Sequence, residues 1–229
     1  MTTTLTHSWF MTMRHLRNLA RQPWWIAITL VQPVIWLLLF GAVFKATADI
    51  PGFVDDSYVD YLTPGIVVMT AAFAGGWAGM GVIEDLNRGV VDRFLVSPVA
   101  RPALISGRLV QLAIVSLIQS LIVILLGLLV GAHFPGGVTG LAVLVGCSAL
   151  LGASLGALSN GMALLARKEE TVIAASNFVL LPLTFLSSAF MQRDLVPGWI
   201  QTVARYNPVE WTVQAGREVV GAQPDWGLV

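Results

Sequence analysis

Five long apolar segments constrain the fold of this chain more than any other feature. None of them contains Asp or Glu, and they cover residues 24–44, 61–83, 103–131, 138–165 and 171–190. At about 1.5 Å per residue, a helix of about 20 residues crosses the roughly 30 Å hydrocarbon core of a bilayer. Since backbone groups in lipid must be hydrogen-bonded within the segment, the pattern predicts an all-α multi-pass membrane protein forming a single transmembrane domain.

The composition agrees with a membrane protein. Of 229 residues, 56% are hydrophobic and only 11% are charged, whereas soluble domains carry about 25% charged residues. Thirteen Lys and Arg balance thirteen Asp and Glu, so no excess of positive charge suggests a nucleic acid as partner. The lone Cys147 permits no internal disulfide, and we expect neither a metal site nor a cofactor in this chain.

A charged loop over residues 84–102 separates the second and third apolar segments. Five of its six ionisable residues fall within ten positions, and they are Glu84, Asp85, Arg88, Asp92 and Arg93; the sixth is Arg101. Apolar residues recur between them at helical spacing, which predicts a short amphipathic helix from Asp85 to Val96 that Pro98 ends. The alternative is a solvated loop that only reverses the chain.

The N-terminal residues 5–22 are amphipathic. Basic residues gather on one helical face, with Trp9 and other apolar residues on another; the basic ones are Arg14, Arg17 and Arg21. This pattern predicts an interfacial helix in the headgroup layer, and the alternative is a plain extension of the first span. The N-terminus lacks the cleavage site of a removed signal peptide, so we expect it to remain in the mature chain.

The basic residues also predict an orientation. With the N-terminus in the cytoplasm, nine Lys and Arg lie on the cytoplasmic side and four on the outer side, as the positive-inside rule requires. Residues 191–229 then lie outside the cell. Two semi-apolar pieces there, residues 199–206 and 209–220, are each too short to span the membrane.

Two patterns inside the spans suggest local roles. Small residues at four-residue spacing let another helix approach closely, and we predict such packing at Gly75, Gly79, Gly152 and Gly156. Uncharged polar residues favour an inward face, because an unsatisfied amide in hydrocarbon costs several kcal/mol. The candidates for a substrate path are Gln32, Gln119, Asn177, Thr184 and Ser188. The last three share one face of a helix over 171–190, and the alternative is that such residues only bridge helices.

Several separated motifs resemble ABC-2-type exporter permeases of the daunorubicin-resistance type. In the charged loop they are Glu84-Asp85, Gly89, Asp92-Arg93-Phe94, Pro98, Arg101 and Gly107-Arg108. Elsewhere they are Tyr61-Leu62, Pro64-Gly65 and Asn207-Pro208-Val209 with Ala215, Arg217 and Gly221. The resemblance implies short re-entrant helices within residues 191–229 and then a sixth span, which we expect to be missing here. Either this sequence is a fragment, which we favour, or a partner completes the bundle.

The resemblance also implies a function. It is that of the membrane subunit of an exporter for amphipathic drugs or lipids in the cell membrane, paired with a second copy or a close relative. ATP and Mg would bind to separate ATPase subunits, and the chain itself would not be an enzyme. The residues that would couple it to the ATPase are Glu84, Asp85, Arg88, Gly89, Asp92, Arg93 and Phe94.

Two other classes of membrane protein remain as alternatives. A secondary transporter or channel would normally place ionisable residues in mid-membrane, and an intramembrane enzyme would need histidines or carboxylates on the spans. His7, His15 and His133 all lie outside the predicted membrane core. The phosphate-binding pattern GxxxxGK[ST] does not occur in these 229 residues, so we expect the nucleotide site on another polypeptide.

Overall fold

The structure is a computed structural model that describes residues 2–21, 23–46, 57–96 and 101–221. These residues form ten α-helices and a short 3-10 turn, with no β-strand among them. The helices are α1 (Thr2–Ala20), α2 (Pro23–Val43), α3 (Tyr58–Gly76), α4 (Gly79–Asn87), α5 (Val90–Leu95), α6 (Arg101–Val130), α7 (Gly137–Ala166), α8 (Glu169–Phe185), α9 (Gly198–Ala204) and α10 (Pro208–Val220).

Helix α3 is the centre of the bundle. Its side chains are buried on every face, and Leu62, Ile66 and Val67 are fully enclosed. Helices α2, α6, α7, α8 and α10 all contact it. The surrounding helices keep large apolar side chains exposed, such as Leu150 and Phe178, which is typical of helices whose outer surface meets lipid rather than water.

Within the described ranges, three helical stretches are long and apolar enough to cross a membrane. They are Tyr58–Asn87, Ile105–Val130 and Gly137–Ala166, while the described apolar part of α2, Ile28–Val43, is shorter. Helices α2 and α8 correspond to the predicted first and fifth spans. That these two also cross the bilayer stays a prediction.

Glycines bring α3 and α4 into backbone contact with α7. A Cβ atom added to Gly75 would overlap the carbonyl group of Gly152, and one added to Gly79 would lie 2.5 Å from the carbonyl oxygen of Ser159. A Cβ atom on Gly156 would lie 2.6 Å from a side chain of α6. At Gly75 and Gly79 the neighbouring atoms belong to the backbone, so the absence of Cβ atoms is what allows these helices to meet; at Gly156 the neighbour is the flexible end of Leu112.

The second membrane segment is broken between Gly76 and Gly79. The carbonyl oxygen of Gly76 accepts hydrogen bonds from the hydroxyls of Ser159 on α7 at 2.5 Å and Ser176 on α8 at 2.6 Å. The N–H of Gly79 donates to the same Ser159 hydroxyl at 3.0 Å. A break inside hydrocarbon must have its freed backbone groups satisfied by other groups. Two serines of neighbouring helices do so here.

The prediction of one helix from Asp85 to Val96 is wrong. Helix α4 ends at Asn87 and α5 begins at Val90. Between them Gly89 has a φ of +63°, a left-handed conformation that glycine adopts without steric cost. The two sides of the break therefore do not share a helical face. Pro98, which we predicted to end the helix, lies outside the described residues.

The predicted end of the fifth span at residue 190 is also wrong. Helix α8 stops at Phe185. The N–H of Ser188, which would have continued the helix, donates instead to the carboxylate of Glu210 on α10 at 2.5 Å. A tertiary contact therefore ends this helix earlier than its apolar pattern suggests.

Helices α9 and α10 occupy the region predicted as two short re-entrant pieces within residues 191–229. Asn207 joins α10 to α8: its side-chain oxygen accepts from the N–H of Val209 at 2.9 Å, and its Nδ2 donates to the carbonyl of Leu183 at 2.6 Å. The other end of α10 meets α7, where the N–H of Gly136 donates to the carbonyl of Val220 at 2.9 Å. Residues 222–229, where we predicted the approach to a sixth span, lie outside the described residues.

Candidate functional site

One carboxylate joins three helices at the end of the bundle that carries the charged loop. Asp85, in the last turn of α4, accepts a hydrogen bond from Arg14 of α1 at 3.3 Å and a second, charge-assisted bond from Arg108 of α6. Arg108 also donates to the carbonyl of Gly81 at 3.0 Å. Arg14, His15, Asp85 and Arg108 are called the Asp85 cluster below. The end of α4 is thus linked to both α1 and α6.

His15 lies beside this ion pair as a neutral group. Burial of the imidazole, helped by the positive charge of Arg108, lowers the pKa of His15 to about 4. Near neutral pH the ring therefore carries no charge. The positive charge of the Asp85 cluster comes from Arg14 and Arg108.

The helix predicted over residues 5–22 is α1, which packs along α6 through a small-residue contact; its place in the headgroup layer stays a prediction. The Oγ1 atom of Thr12 donates to the carbonyl of Gly107 at 3.1 Å, and the hydroxyls of Ser8 and Ser106 lie 2.8 Å apart. A Cβ atom on Gly107 would come within 2.6 Å of the Cβ atom of Met11. Helix α1 is thus seated against α6 at the position where Asp85 ties both to α4.

The other predicted coupling residues have different surroundings from Asp85. Glu84 and Arg88 form an exposed pair at 2.7 Å, which stabilises a helix by only about 0.3–0.5 kcal/mol. Arg93 is exposed on α5. Asp92 and Phe94 belong to α5, but their side chains lie outside the described part. The structure thus separates an inward-facing Asp85 from an exposed surface, and contact of that surface with an ATPase stays a prediction.

Two of the predicted substrate-path residues meet in one cleft between α2, α3 and α6. Gln32 and Gln119 both line it, and the Nε2 atom of Gln119 donates to Thr29 of α2 at 3.2 Å. Asn177 is not among the lining residues. It accepts a hydrogen bond at 3.2 Å from the indole N–H of Trp77, which does line the cleft. The cleft has a volume of about 50 Å³, enough for a few water molecules but not for a whole drug.

The predicted polar stripe on the fifth span does not exist as one helical face, because Ser188 lies beyond the end of α8. Thr184 is buried, and its hydroxyl donates to the carbonyl of Leu180 at 2.7 Å. Ser188 belongs to a different cluster that includes α10. Whether these residues contact cargo stays a prediction, but they do not form one surface together with Asn177.

A polar cluster fastens α10 to the start of α3 and to the turn after α8. The guanidinium of Arg217 donates to the carbonyls of Ser188 at 2.8 Å, Ala189 at 3.2 Å and Tyr61 at 3.2 Å. It also lies 3.5 Å from the centre of the Tyr61 ring, a favourable cation–π contact. Glu210 is only 1% exposed and accepts from the N–H of Ser188. Tyr61, Ser188, Ala189, Glu210 and Arg217 are called the α10 cluster.

A family model described as an ABC-2 type transporter matches residues 6–220, which is nearly the whole chain. The chain belongs to the ABC-2 family of transporter membrane proteins. It is therefore a membrane subunit of an ABC transporter and is not itself the catalytic subunit. Permeases of this kind work with ABC ATPase partners.

Named relatives of this ABC-2 permease include proteins of drug resistance. It is 29% identical over 232 residues to the daunorubicin resistance ABC transporter permease protein DrrB1 of Streptomyces coeruleorubidus, covering 99% of this chain and 78% of the relative. It is 30% identical to the putative transport permease ycf38 of Cyanophora paradoxa, over 86% of this chain and 68% of that protein. A probable doxorubicin resistance ABC transporter permease protein DrrC of Mycobacterium tuberculosis is 23% identical, with coverages of 90% and 74%.

Glu210 was not recognised from the sequence as a candidate site residue, and Arg217 was noted only in the family motif and in the count of basic residues. The sequence did contain a signal for both. Glu210, Gln214 and Arg217 recur at four and three residues along α10 and so share one helical face. The Nε2 atom of Gln214 donates to the other carboxylate oxygen of Glu210 at 2.6 Å. A charged stripe on a short helix in an apolar chain indicates a buried polar contact.

Within the described ranges, no three His, Cys, Asp or Glu side chains stand close enough together to hold a metal ion. The chemistry that the described sites offer is hydrogen bonding and charge pairing.

Proposed function

We propose that this ABC-2 permease exports an amphipathic drug or lipid-like molecule across the cell membrane, with its N-terminus in the cytoplasm. A second copy, or a close relative, pairs with it, and membrane lipids cover its apolar outer faces. ATP and Mg bind to separate ATPase subunits that dock on the exposed charged loop. The observation that carries the proposal is the Asp85 cluster, which ties the helix leading into that loop to both α1 and α6.

The geometry supports a mechanical role for the loop. Glu84, Arg88 and Arg93 are exposed, so a partner can reach them. Asp85, which directly follows Glu84, faces the bundle instead. A push on α5 reaches α4 through the turn at Gly89 and passes to α1 and α6 through the Asp85 carboxylate. Closing and opening of the ATPase dimer would then move these helices together.

The small size of the described cleft supports a path shared between two chains. Binding sites for drug-sized ligands usually enclose about 300–1,000 Å³, whereas the cleft in one chain holds about 50 Å³. Helix α8 keeps Phe178 and Phe185 exposed on its outer side. A second permease facing such a surface would enclose more space than one chain does.

The test is ATP-driven transport in proteoliposomes that hold the permease with its ATPase, with a fluorescent amphipathic amine as cargo. The double variant Asp92→Ala with Arg93→Ala should slow transport by about tenfold, a typical coupling effect between sites, and weaken ATPase association. The matched control is Arg167→Ala with Glu170→Ala, which removes one charge of each sign from the other charged loop.

Two outcomes would overturn the proposal. Transport at the wild-type rate without ATP or without the ATPase would favour a secondary transporter or channel. Unchanged transport and association in the double variant, at normal expression, would remove the coupling role from α5.

A further inference from the structure

The cleft between α2, α3 and α6 contains a buried polar atom that no described residue satisfies. Gln119 is only 5% exposed, and its Nε2 atom is already bound to Thr29. Its Oε1 atom has no hydrogen-bond partner among the residues that the structure describes. A buried acceptor without a partner is costly, and this side chain lines an open cleft. Its position favours a ligand that brings a donor.

Two other polar groups of the cleft wall already use their donors within the protein. The hydroxyl of Thr70 donates to the carbonyl of Ile66 at 2.7 Å, and the indole N–H of Trp77 donates to Asn177 at 3.2 Å. Neither of these groups has a donor left for the cleft, while the amide of Gln32, which also lines it, brings both donors and an acceptor. The Oε1 atom of Gln119 therefore decides the match, because a hydroxyl or an amine can donate to it and a carbonyl or an ether cannot.

The remaining wall suits an apolar body. Phe73 and Trp77 meet edge to face at 5.5 Å between ring centroids, and both line the cleft with Met69 and Pro33. An aromatic or alkyl group would be buried against these side chains, with the donor group directed toward Gln119. Because the volume is about 50 Å³, only one end of a larger molecule fits.

The cleft lies deep along the membrane segments and has apolar flanks. Gln119 follows Arg108 of the Asp85 cluster by eleven residues, which is about 16 Å along α6. Beside the cleft, Ile28 and Val31 of α2 and Ile118 of α6 are exposed. These side chains face lipid in a membrane protein, so a ligand reaches the cleft from the bilayer rather than from water.

We propose that this cleft binds the hydroxyl or amine end of an amphipathic molecule that enters from the bilayer between α2 and α6. The Oε1 atom of Gln119 accepts the hydrogen bond, and Phe73 and Trp77 contact the adjoining apolar part. The molecule is either a membrane lipid or exported cargo; only the second of these sources rests on the proposed function.

The test compares two photoreactive probes with the same alkyl diazirine body. One ends in a primary alcohol and the other in its methyl ether, which keeps the oxygen but loses the donor. The permease with its ATPase is labelled in nanodiscs, and labelling of peptides that contain Trp77 or Gln119 is measured by mass spectrometry over a concentration series. We expect the alcohol to half-saturate the site at about a fivefold lower concentration, as one hydrogen bond of ordinary strength gives.

Two variants and one control test the assignment. Gln119→Leu should abolish the preference for the alcohol. The control Gln111→Leu, on the same helix but not lining the cleft, should keep that preference. Ala74→Leu leaves Gln119 intact and fills the cleft, so it should remove labelling by both probes. This second variant keeps the proposal testable if Gln119→Leu does not fold. Equal half-saturation by the two probes in the wild type would overturn the proposal, as would a preference that persists in Gln119→Leu.

Two further measurements on Ala74→Leu separate the sources of the ligand. Loss of a co-purified hydroxyl- or amine-bearing lipid, with export unchanged, assigns the site to a membrane lipid. Slower ATP-driven export of the alcohol probe assigns it to cargo. If the wild type exports nothing with ATP, the proposed function fails, while the probe titrations still decide whether the site exists.

Discussion

The Asp85 cluster and the α10 cluster both place an arginine and a carboxylate between helices, but they bind different kinds of partner. In the α10 cluster, Arg217 and Glu210 bond mainly to backbone groups, which the fold holds in place. In the Asp85 cluster, Arg14 and Arg108 both bond to the side chain of Asp85, with one further bond from Arg108 to the backbone carbonyl of Gly81. Side-chain partners can rotate and re-pair, whereas backbone carbonyls cannot. The backbone bonds of the α10 cluster suit a fixed anchor, and the side-chain bonds of the Asp85 cluster suit a joint that moves.

The side chains of the Asp85 cluster are also more exposed to solvent than Glu210 of the α10 cluster. The side chains of Arg14 and Asp85 are 31% and 19% exposed, so water and salt screen their attraction. Glu210 is 1% exposed, and breaking a buried polar contact leaves its partners without solvent. The two clusters should therefore respond very differently to loss of one charge, and four experiments measure how far this difference holds.

The largest effect is expected for Arg217→Met. The variant keeps an apolar stem but leaves the carbonyls of Tyr61, Ser188 and Ala189 without this donor. It should lower the stability by several kcal/mol, because each buried polar group left unpaired costs about 1–3 kcal/mol. Thermal unfolding in detergent measures the loss. Arg205→Met, an exposed arginine before α10, is the control and should change little. A small shift in Arg217→Met would mean that α10 is held by packing alone.

The next effect is expected where α10 meets α7. A Cβ atom on Gly140 would overlap the carbonyl of Val219, so Gly140→Leu should force the two backbones apart and cost about 1–3 kcal/mol or more. The yield of folded protein and the melting temperature check this. Gly146→Leu on the same helix has open space around it and should be tolerated. If both variants behave alike, the backbone contact does not help to anchor α10.

A smaller loss of stability is expected for Asp85→Asn. The amide keeps the shape but loses the charge, and a partly exposed pair should cost about 1–2 kcal/mol. Glu84→Gln, which breaks only the exposed pair with Arg88, should cost about 0.5 kcal/mol or less. If the Asp85 cluster is a moving joint, ATP-driven transport in Asp85→Asn should fall by more than its stability explains. If transport in Asp85→Asn falls only as far as the lost stability explains, the Asp85 cluster has a purely structural role.

The smallest effect concerns the pH dependence from His15. Its folded pKa of about 4 lies below the ordinary histidine value of 6.5, so between these values the unfolded chain binds a proton that the folded chain does not. His15 thus makes stability fall as the pH decreases from about 6.5 to about 4, with no further change below that. Melting temperatures across this range should decline less steeply in His15→Gln than in the wild type. Parallel curves would show that His15 is not enclosed by the Asp85 cluster.

Local patterns were enough to predict the parts of the fold that depend on local chemistry. The apolar runs gave the helices, and the spacing of Gly75 and Gly79 indicated where small residues recur on one face. The end of α8 could not be predicted, because it depends on Glu210, which lies 22 residues after Ser188. The break at Gly89 had a visible signal, the glycine itself, but helical spacing on both sides suggested one continuous helix.

The site was harder to predict for the same reason. Polar residues inside apolar runs were expected to face inward, yet the sequence does not say which partner each one has. Thr184 bonds within its own helix, Asn177 bonds to Trp77, and Ser188 joins α10. A shared helical face predicts proximity only while the helix continues.

The broken second span has a consequence for how the protein is made. The serines that satisfy Gly76 lie 83 and 100 residues later in the chain, on the fourth and fifth hydrophobic helices. When the ribosome delivers the second span to the membrane, neither hydroxyl has yet been synthesised. The break therefore completes its hydrogen bonding only after α7 and α8 have been inserted, which makes it one of the last features of the bundle to form during biogenesis.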